Sequence, residues 1–166
     1  RQLLQRYAVL VPKKRRYYIE TIYSQYDHTF DGRHLDAARQ ALRRQCPEYL
    51  ADFDAFMKAR GGWMFNMFLM RRPLADAYCR WLFPLLKDVE GQIDSSAMNA
   101  FEKRYIGRVS ERLLNVWLRH QIRTGVLARE EVHEIPYFYV GKVDWPRKIR
   151  SFLGAKLFGR KYTGSF

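Results

Sequence analysis

Apolar residues along the chain fall into short segments of different period, which proline and glycine separate. The apolar run at residues 8–11 ends at Pro12, a pattern that predicts a buried strand followed by a basic loop. Residues 34–46 carry apolar positions at helical spacing, and a second helix is predicted to open at Pro47 and stop at the glycine pair 61–62. The first third of the chain is therefore predicted to begin with a strand and to continue as two helices.

Aromatic and unbranched apolar residues dominate the middle of the chain. Residues 63–70, WMFNMFLM, lie between a glycine pair and Arg-Arg-Pro, and they predict a central strand buried on both faces. Pro73 is predicted to start a long helix, Ser110 to cap another that runs to about residue 123, and residues 135–140 to form the last strand. Together these segments predict an α/β fold rich in helix, in which several helices pack a few short strands.

The length and charge of the chain indicate one folded domain with an anionic neighbour. A chain of 166 residues, of which 48% are hydrophobic and 16% aromatic, can bury a core of its own. The 30 Lys and Arg residues exceed the 17 Asp and Glu residues and give a net charge of +13. This surplus predicts nucleic acid, a phospholipid surface or phosphorylated small molecules as partners.

Other features of the composition narrow the class of protein. The two cysteines, Cys46 and Cys79, lie in helical patterns, which argues against a disulfide framework and favours a reducing cytoplasm. The four histidines have no zinc-ligand spacing, and no apolar run reaches the roughly 18 residues that span a bilayer. Because the chain begins with Arg1 and enters helix- or strand-like sequence at once, we expect it to be a piece of a longer protein.

Residues 108–118, RVSERLLNVWL, combine an apolar helix face with a polar entrance. The polar residues of this entrance are Arg108, Ser110, Glu111, Arg112 and Asn115. With Ser110 as N-cap, Glu111 falls in the first turn, where the helix dipole is expected to keep its pKa low and its carboxylate ionised. Such a carboxylate can accept a proton from an attacking hydroxyl, and the neighbouring arginines can bind phosphate. A capped helix with surface ion pairs explains the same residues, and spacing alone does not choose between the two interpretations.

Two other polar features lie within apolar sequence. Asp52 and Asp54 resemble a metal-binding Asp-x-Asp motif, but they fall inside a predicted helix, where residues two apart diverge by roughly 200°. We therefore do not expect a metal site there. Asn66, inside a strand predicted as buried, needs hydrogen-bond partners, so it is either a structural clamp or a group presented to a ligand.

Basic sequence is concentrated at both ends of the chain. Residues 12–28 interleave cations with tyrosines, a pattern that suits single-stranded nucleic acid or a sugar nucleotide but also an ordinary solvated loop. From Gly141 onwards, seven Lys and Arg residues accompany one acid in a helix-like amphipathic pattern. The residues predicted to lie on an anionic membrane surface are Trp145, Arg147, Lys148, Arg150, Phe152 and Lys156. A C-terminal helix docked on its own domain is the alternative.

Four of these segments, in their order and spacing, resemble a known bacterial family. They are LVPKKRRYYIETIYSQYDH, PEYLADFDAFMK, FNMFLMRRPLADAYCRWLFPLLKDVE and RVSERLLNVWL. The resemblance covers about residues 8–140 and is to the C-terminal part of a family catalogued as a domain of unknown function. Its members occur in capsular-polysaccharide, exopolysaccharide and lipopolysaccharide biosynthesis. The resemblance implies a GT-A-like α/β fold and transfer of a sugar from a nucleotide-sugar donor to a polysaccharide or lipid-linked acceptor.

The resemblance also implies roles for parts of this chain. Residues 1–140 would be the C-terminal part of the transferase domain and residues 141–166 a basic tail, with the nucleotide-binding half upstream. Glu111 would deprotonate the acceptor hydroxyl, and Arg108 or Arg112 would steady the departing diphosphate. Asn66 would face the acceptor crevice, and Asn115 is expected to bind substrate as well. Metal dependence stays open, and the expected location is the cytoplasmic face of the inner membrane. The alternative function is a non-catalytic basic module that binds nucleic acid or an anionic surface.

Overall fold

A computed structural model describes residues 2–138 and 140 of the chain. The helices are α1 (Gln2–Arg6), α2 (Ile22–Thr29), α3 (Arg33–Gln45), α4 (Leu50–Met57), α5 (Arg72–Gln92) and α6 (Tyr105–Arg123). The strands are β1 (Val9–Pro12), β2 (Arg15–Arg16), β3 (Gly61–Gly62), β4 (Leu69–Met70) and β5 (Val132–Ile135). Single 3-10 turns occur at Pro47–Tyr49, Glu102–Arg104 and Arg129–Glu131. The basic tail, with every residue predicted to lie on a membrane, falls outside the described residues.

Strand β1 is the centre of a small mixed sheet with the order β4-β1-β5. It pairs in parallel with β5, from Val9 opposite Val132 to Pro12 opposite Ile135, and antiparallel with the short β4. All four residues of β1 are buried, as the uninterrupted apolar run predicts. Strands β2 and β3 form a separate antiparallel pair, Arg15 opposite Gly62.

The helices supply most of the core. Helix α3 buries a stripe that includes three alanines, and these small side chains let it lie close against α5. Helix α6 is the most deeply buried helix and packs on both α4 and α5. No helix in the described part of the chain is both long and apolar enough to cross a membrane.

The prediction of one central strand at residues 63–70 is wrong. Only Leu69–Met70 pairs with β1, while Trp63 and Met64 are buried ahead of a bend at which Asn66 is exposed. An apolar run shows that a segment is buried but does not show with which partner it pairs. Here, within the described part of the chain, only the last two residues of the segment join a sheet, and β3 ends just before the segment begins. The last strand is also displaced, because β5 ends at Ile135, where the predicted strand begins.

Helix α6 begins at Tyr105, so the prediction that Ser110 caps it is wrong. The turn Glu102–Arg104 runs directly into the helix, and Gly107 lies inside it with open space where a side chain would project. Ser110 Oγ lies in the second turn, 2.8 Å from Asn66 Oδ1 and 2.9 Å from the Gly107 carbonyl oxygen. The field of the helix dipole is strongest in the first turn, and Glu111 lies beyond that turn.

Candidate functional site: a basic cleft beside helix α6

A cleft of about 360 Å³ lies between helix α6, strand β3 and the basic loop after β1. Its lining residues are Lys14, Asp52, Phe56, Gly61, Gly62, Trp63, Asn115, Arg119, Ile122, Arg123 and Arg129. Four of these side chains are cationic and one is a carboxylate. The lining therefore has the charge of a site for an anion, and its volume is within the range of ligand pockets. We call it the basic cleft.

The wall of the basic cleft is fixed by Asn115, which holds the backbone of Trp63. Asn115 Oδ1 accepts a hydrogen bond from Trp63 N at 2.8 Å, and Nδ2 donates to Trp63 O at 2.8 Å and to Glu111 O at 2.9 Å. Gly62 makes this approach possible, since a Cβ there would lie 2.8 Å from Asn115 Oδ1 and 2.7 Å from Phe56 Cε2. Gly62 therefore allows close packing of β3 against α4 and α6.

Two cationic side chains lie over the indole ring of Trp63. Lys14 Nζ lies 4.6 Å from the ring centroid and Arg129 Cζ lies 5.8 Å from it, both within the range of cation–π attraction. The indole nitrogen donates to Glu134 Oε1 at 3.1 Å, which fixes the orientation of the ring. The same carboxylate oxygen lies 3.9 Å from Lys14 Nζ. Trp63 thus holds cations from two separate loops on one wall of the cleft.

The positive charge in the basic cleft is not balanced by its own carboxylates. Partial burial and the neighbouring guanidinium of Arg129 lower the pKa of Lys14. Glu134 raises this pKa and so offsets the lowering in part, while Arg119 lowers it further. Arg119 is exposed and makes neither a hydrogen bond nor an ion pair among residues 2–138 and 140. An anion bound in the cleft would relieve this repulsion.

Asp52 and Arg123, which also line the basic cleft, belong to a polar network around the buried Asp52 carboxylate. Asp52 lies 3.0 Å from His120 Nδ1 and accepts hydrogen bonds from Arg123, the shortest at 2.9 Å. The His120 ring stacks on Tyr49, with centroids 3.7 Å apart, and Gln121 Nε2 donates to the Tyr49 hydroxyl at 3.0 Å. Because Asp52 neutralises Arg123, the unbalanced cations of the cleft are Lys14, Arg119 and Arg129.

Glu111, the predicted catalytic base, lies on α6 one turn before Asn115, outside the lining of the basic cleft as the structure describes it. Its side chain is 26% exposed, and its carboxylate accepts a hydrogen bond from the buried Arg112 at 2.7 Å. Burial raises the pKa of Glu111 above its ordinary value, although Arg112 and Arg108 act in the opposite direction. The expectation of a low pKa is therefore wrong, because Glu111 is partly buried and is not in the first turn.

The predicted phosphate-binding arginines are held by protein contacts. Arg112 Nη1 also donates to the Arg108 carbonyl oxygen at 3.0 Å, and its guanidinium lies 4.9 Å from the Tyr26 ring centroid. The Arg108 guanidinium lies 4.2 Å from the Phe30 ring centroid and 4.1 Å from that of Phe101, and it donates to the Phe101 carbonyl oxygen at 2.7 Å. These contacts compete with phosphate binding, which stays a prediction for both residues.

The two predicted amide ligands are also engaged within the protein. Asn66 Nδ2 donates to the Gly107 carbonyl oxygen at 2.9 Å, so Asn66 ties the bend before β4 to α6. Both amide hydrogens of Asn115 are donated to backbone carbonyls, as described above. The structure thus gives each of them a structural role, and contact with a substrate stays a prediction.

The two carboxylates of the Asp-x-Asp motif face different partners. Asp54 pairs with Arg39 at 2.7 Å on the surface, whereas Asp52 points to His120 and Arg123. Helix α4 separates the carboxylates, as the helical spacing predicts. Within the described ranges, no group of three or more His, Cys, Asp or Glu side chains is placed to hold a metal ion.

The basic cleft could not be predicted from the sequence. Its unbalanced cations, Lys14, Arg119 and Arg129, lie in three segments far apart in sequence, and no short motif joins them. One signal was present on α6: Arg119 follows Glu111 and Asn115 at intervals of four residues, on a helix that is otherwise largely buried. Such a stripe of polar residues predicts a shared face but not the elements that lie opposite.

Comparisons with known proteins agree with this fold. A family model described as "Domain of unknown function (DUF4422)" matches residues 1–122. The solved structure of WbbM, described as a bifunctional glycosyltransferase in its apo form, is similar with a TM-score of 0.77 and 30% sequence identity. That similarity covers 84% of this chain and 25% of WbbM, so the chain spans about a quarter of the length of that protein. No curated protein matches the chain. The predicted helix-rich α/β, glycosyltransferase-like fold is confirmed.

Proposed function

The chain belongs to the family described as Domain of unknown function (DUF4422), which is related to glycosyltransferases, and on that premise we propose that it is part of a glycosyltransferase. The proposed reaction moves a sugar from a nucleotide-sugar donor to a cell-surface polysaccharide precursor. The observation that carries the proposal is the likeness to the bifunctional glycosyltransferase WbbM, with 30% identity over 84% of this chain. The family match includes Lys14, Glu111, Asn115 and Arg119, and ends before Arg129.

Glu111 is the proposed general base. A base works best when its pKa lies near the working pH, and burial shifts the pKa of Glu111 in that direction. The carboxylate would take the proton from the acceptor hydroxyl as the oxygen attacks the anomeric carbon and the nucleoside diphosphate leaves. Arg112, fixed by Tyr26 and by the Arg108 carbonyl oxygen, holds the carboxylate in one orientation.

The test uses the intact protein that contains these residues, a panel of nucleotide-sugar donors and a lipid-linked oligosaccharide fraction as acceptor. The proposal predicts that one donor gives an acceptor larger by one sugar, detected by mass spectrometry, with release of the nucleoside diphosphate. A panel in which no donor is consumed, with acceptors of the three proposed polysaccharide classes, would contradict the proposal.

We also propose that the basic tail keeps the protein on an anionic membrane, close to a lipid-linked acceptor. This part rests on sequence alone, because residues 145–166 lie outside the described residues. Deletion of these residues should reduce sedimentation with anionic vesicles, and added salt should reduce binding of the unaltered protein. Binding that is insensitive both to the deletion and to salt would contradict this part.

A further inference from the structure

We propose that the basic cleft binds the diphosphate group of a substrate, with Arg119 and Arg129 donating hydrogen bonds to the phosphates and Lys14 supplying a third positive charge. This inference deepens the proposed function and rests on it for the kind of substrate. The site itself is argued from the geometry of the described residues.

The cleft retains positive charge that nearby carboxylates do not balance. Arg123 is neutralised by Asp52, to which it donates hydrogen bonds. Among the described residues, Lys14 is the only one of the three remaining cations that approaches a carboxylate, Glu134, at 3.9 Å. These three cations and one carboxylate leave a surplus of two positive charges, which would balance the two negative charges of a doubly esterified diphosphate.

One wall of the cleft is held in place before any ligand binds. Trp63 is 4% exposed and is fixed through both backbone groups by Asn115, which is 2% exposed. Its indole is oriented by Glu134 and holds Lys14 and Arg129 near the cleft. A wall fixed in this way loses little conformational entropy when a ligand binds.

Arg119 and Arg129 have N–H groups available to donate hydrogen bonds to a ligand. Arg129 uses one guanidinium nitrogen on the Val132 carbonyl oxygen, at 3.2 Å, and this leaves most of its N–H groups available. Arg119 lies one turn after Asn115 on the same stripe of α6 and has no protein partner in the part of the chain that the structure describes. One guanidinium group can donate two parallel hydrogen bonds to the oxygens of a phosphate, so two arginines can together bind one diphosphate.

Two substrates of the proposed reaction can carry this chemistry. A nucleotide-sugar donor contains a diphosphate, and so does an acceptor linked to an isoprenoid through diphosphate. Both contain two adjacent phosphates between organic groups, and the charge of the cleft suits this shared diphosphate. The probe that binds most tightly decides which of the two substrates the cleft takes.

The test is direct binding to the full chain, measured by isothermal titration calorimetry with inorganic pyrophosphate as the first probe. Arg119→Gln should weaken binding about tenfold, the usual scale for one charge-assisted hydrogen bond. Arg129→Gln should act in the same direction. The matched control is Arg80→Gln, which removes an exposed helical arginine outside the cleft and should leave the affinity unchanged. Thermal melting of each variant should match that of the unaltered chain.

Two further probes distinguish whether the diphosphate comes from the donor or from the acceptor. Tighter binding of nucleoside diphosphates than of pyrophosphate would assign the cleft to the donor, and tighter binding of geranyl diphosphate would assign it to the acceptor; either supports a diphosphate site. Equal loss of affinity in Arg80→Gln and Arg119→Gln, or no loss in the two cleft variants, would overturn the proposal. Binding involves no sugar transfer, so a protein that binds but transfers nothing counts against the proposed function and not against the cleft.

Discussion

Asn115 binds both backbone groups of Trp63, accepting from its N–H at 2.8 Å and donating to its carbonyl oxygen at 2.8 Å. The side-chain amide here satisfies the backbone groups of Trp63, which has no strand partner among the described residues. The same amide donates to the Glu111 carbonyl oxygen. Asn115 therefore connects the proposed base, through the backbone of α6, with the wall of the basic cleft.

Replacing this amide should destabilise the protein markedly. Asn115→Ala leaves the N–H and C=O of a buried residue without partners, and we expect a loss of about 2–4 kcal/mol in the free energy of unfolding. Urea unfolding followed by circular dichroism measures it. Gln40→Ala, which removes an exposed amide from helix α3, should change the free energy by less than about 0.5 kcal/mol. Similar small losses in both variants would show that the Asn115 clamp contributes little.

Gly62 and Gly107 should respond in opposite ways to alanine. At Gly62 the new Cβ would lie within 2.8 Å of Asn115 Oδ1 and of Met64 Cε, so Gly62→Ala should cost about 1–3 kcal/mol. At Gly107, inside α6, nothing lies within 4 Å, and Gly107→Ala should stabilise by about 0.5–1 kcal/mol. Thermal melting of the two variants tests the pair, and a Gly62→Ala variant as stable as the unaltered chain would contradict the close packing.

The two aspartates of the Asp-x-Asp motif should differ strongly although they are two residues apart. Asp52→Ala removes a carboxylate that is 5% exposed and leaves His120 and Arg123 without it, which should cost about 2–4 kcal/mol. Asp54→Ala removes one partner of an exposed pair with Arg39 and should cost less than about 1 kcal/mol. Chemical unfolding of both variants measures the difference, and equal costs would contradict the buried network.

Glu111 should make the stability of the protein fall as pH rises. Its pKa is raised above 4.5 in the folded state, so between 4.5 and the raised value the folded chain binds more protons than the unfolded chain. The free energy of unfolding then decreases as pH rises through this range and stays lower above it. Unfolding curves for the unaltered chain and for Glu111→Gln should diverge across this range, with the variant gaining relative stability towards higher pH. The opposite trend would show that the ion pair with Arg112 outweighs burial.

The sequence was sufficient where structure depends on local pattern. Strand β1 and helices α3 and α5 lie where apolar period, proline and glycine predict them, because burial of one face and the backbone limits of proline act over a few residues. The run at residues 63–70 is different. In the part of the chain that the structure describes, only Leu69 and Met70 of this run pair with a strand, and that partner, β1, is distant in sequence. The apolar run contains no information about where this pairing occurs.

The site shows the same division. Glu111, Arg112 and Asn115 are neighbours on one helix, so their proximity could be predicted from spacing. Whether a cation is paired or free could not be predicted in this way: Arg112 is buried against Tyr26, while Arg119, two turns on, faces the cleft. Lys14 and Arg129 join it only because Trp63 lies between their two loops.

The most direct test of the account is the rate of sugar transfer by the intact protein, measured with the donor found in the panel. Glu111→Gln should lower the rate by about a hundredfold or more, the usual effect of losing a general base. Glu90→Gln, which removes an exposed acid from helix α5, should leave the rate within about twofold, the scatter expected of a surface change. A Glu111→Gln protein that transfers sugar as fast as the Glu90→Gln control would contradict the central claim.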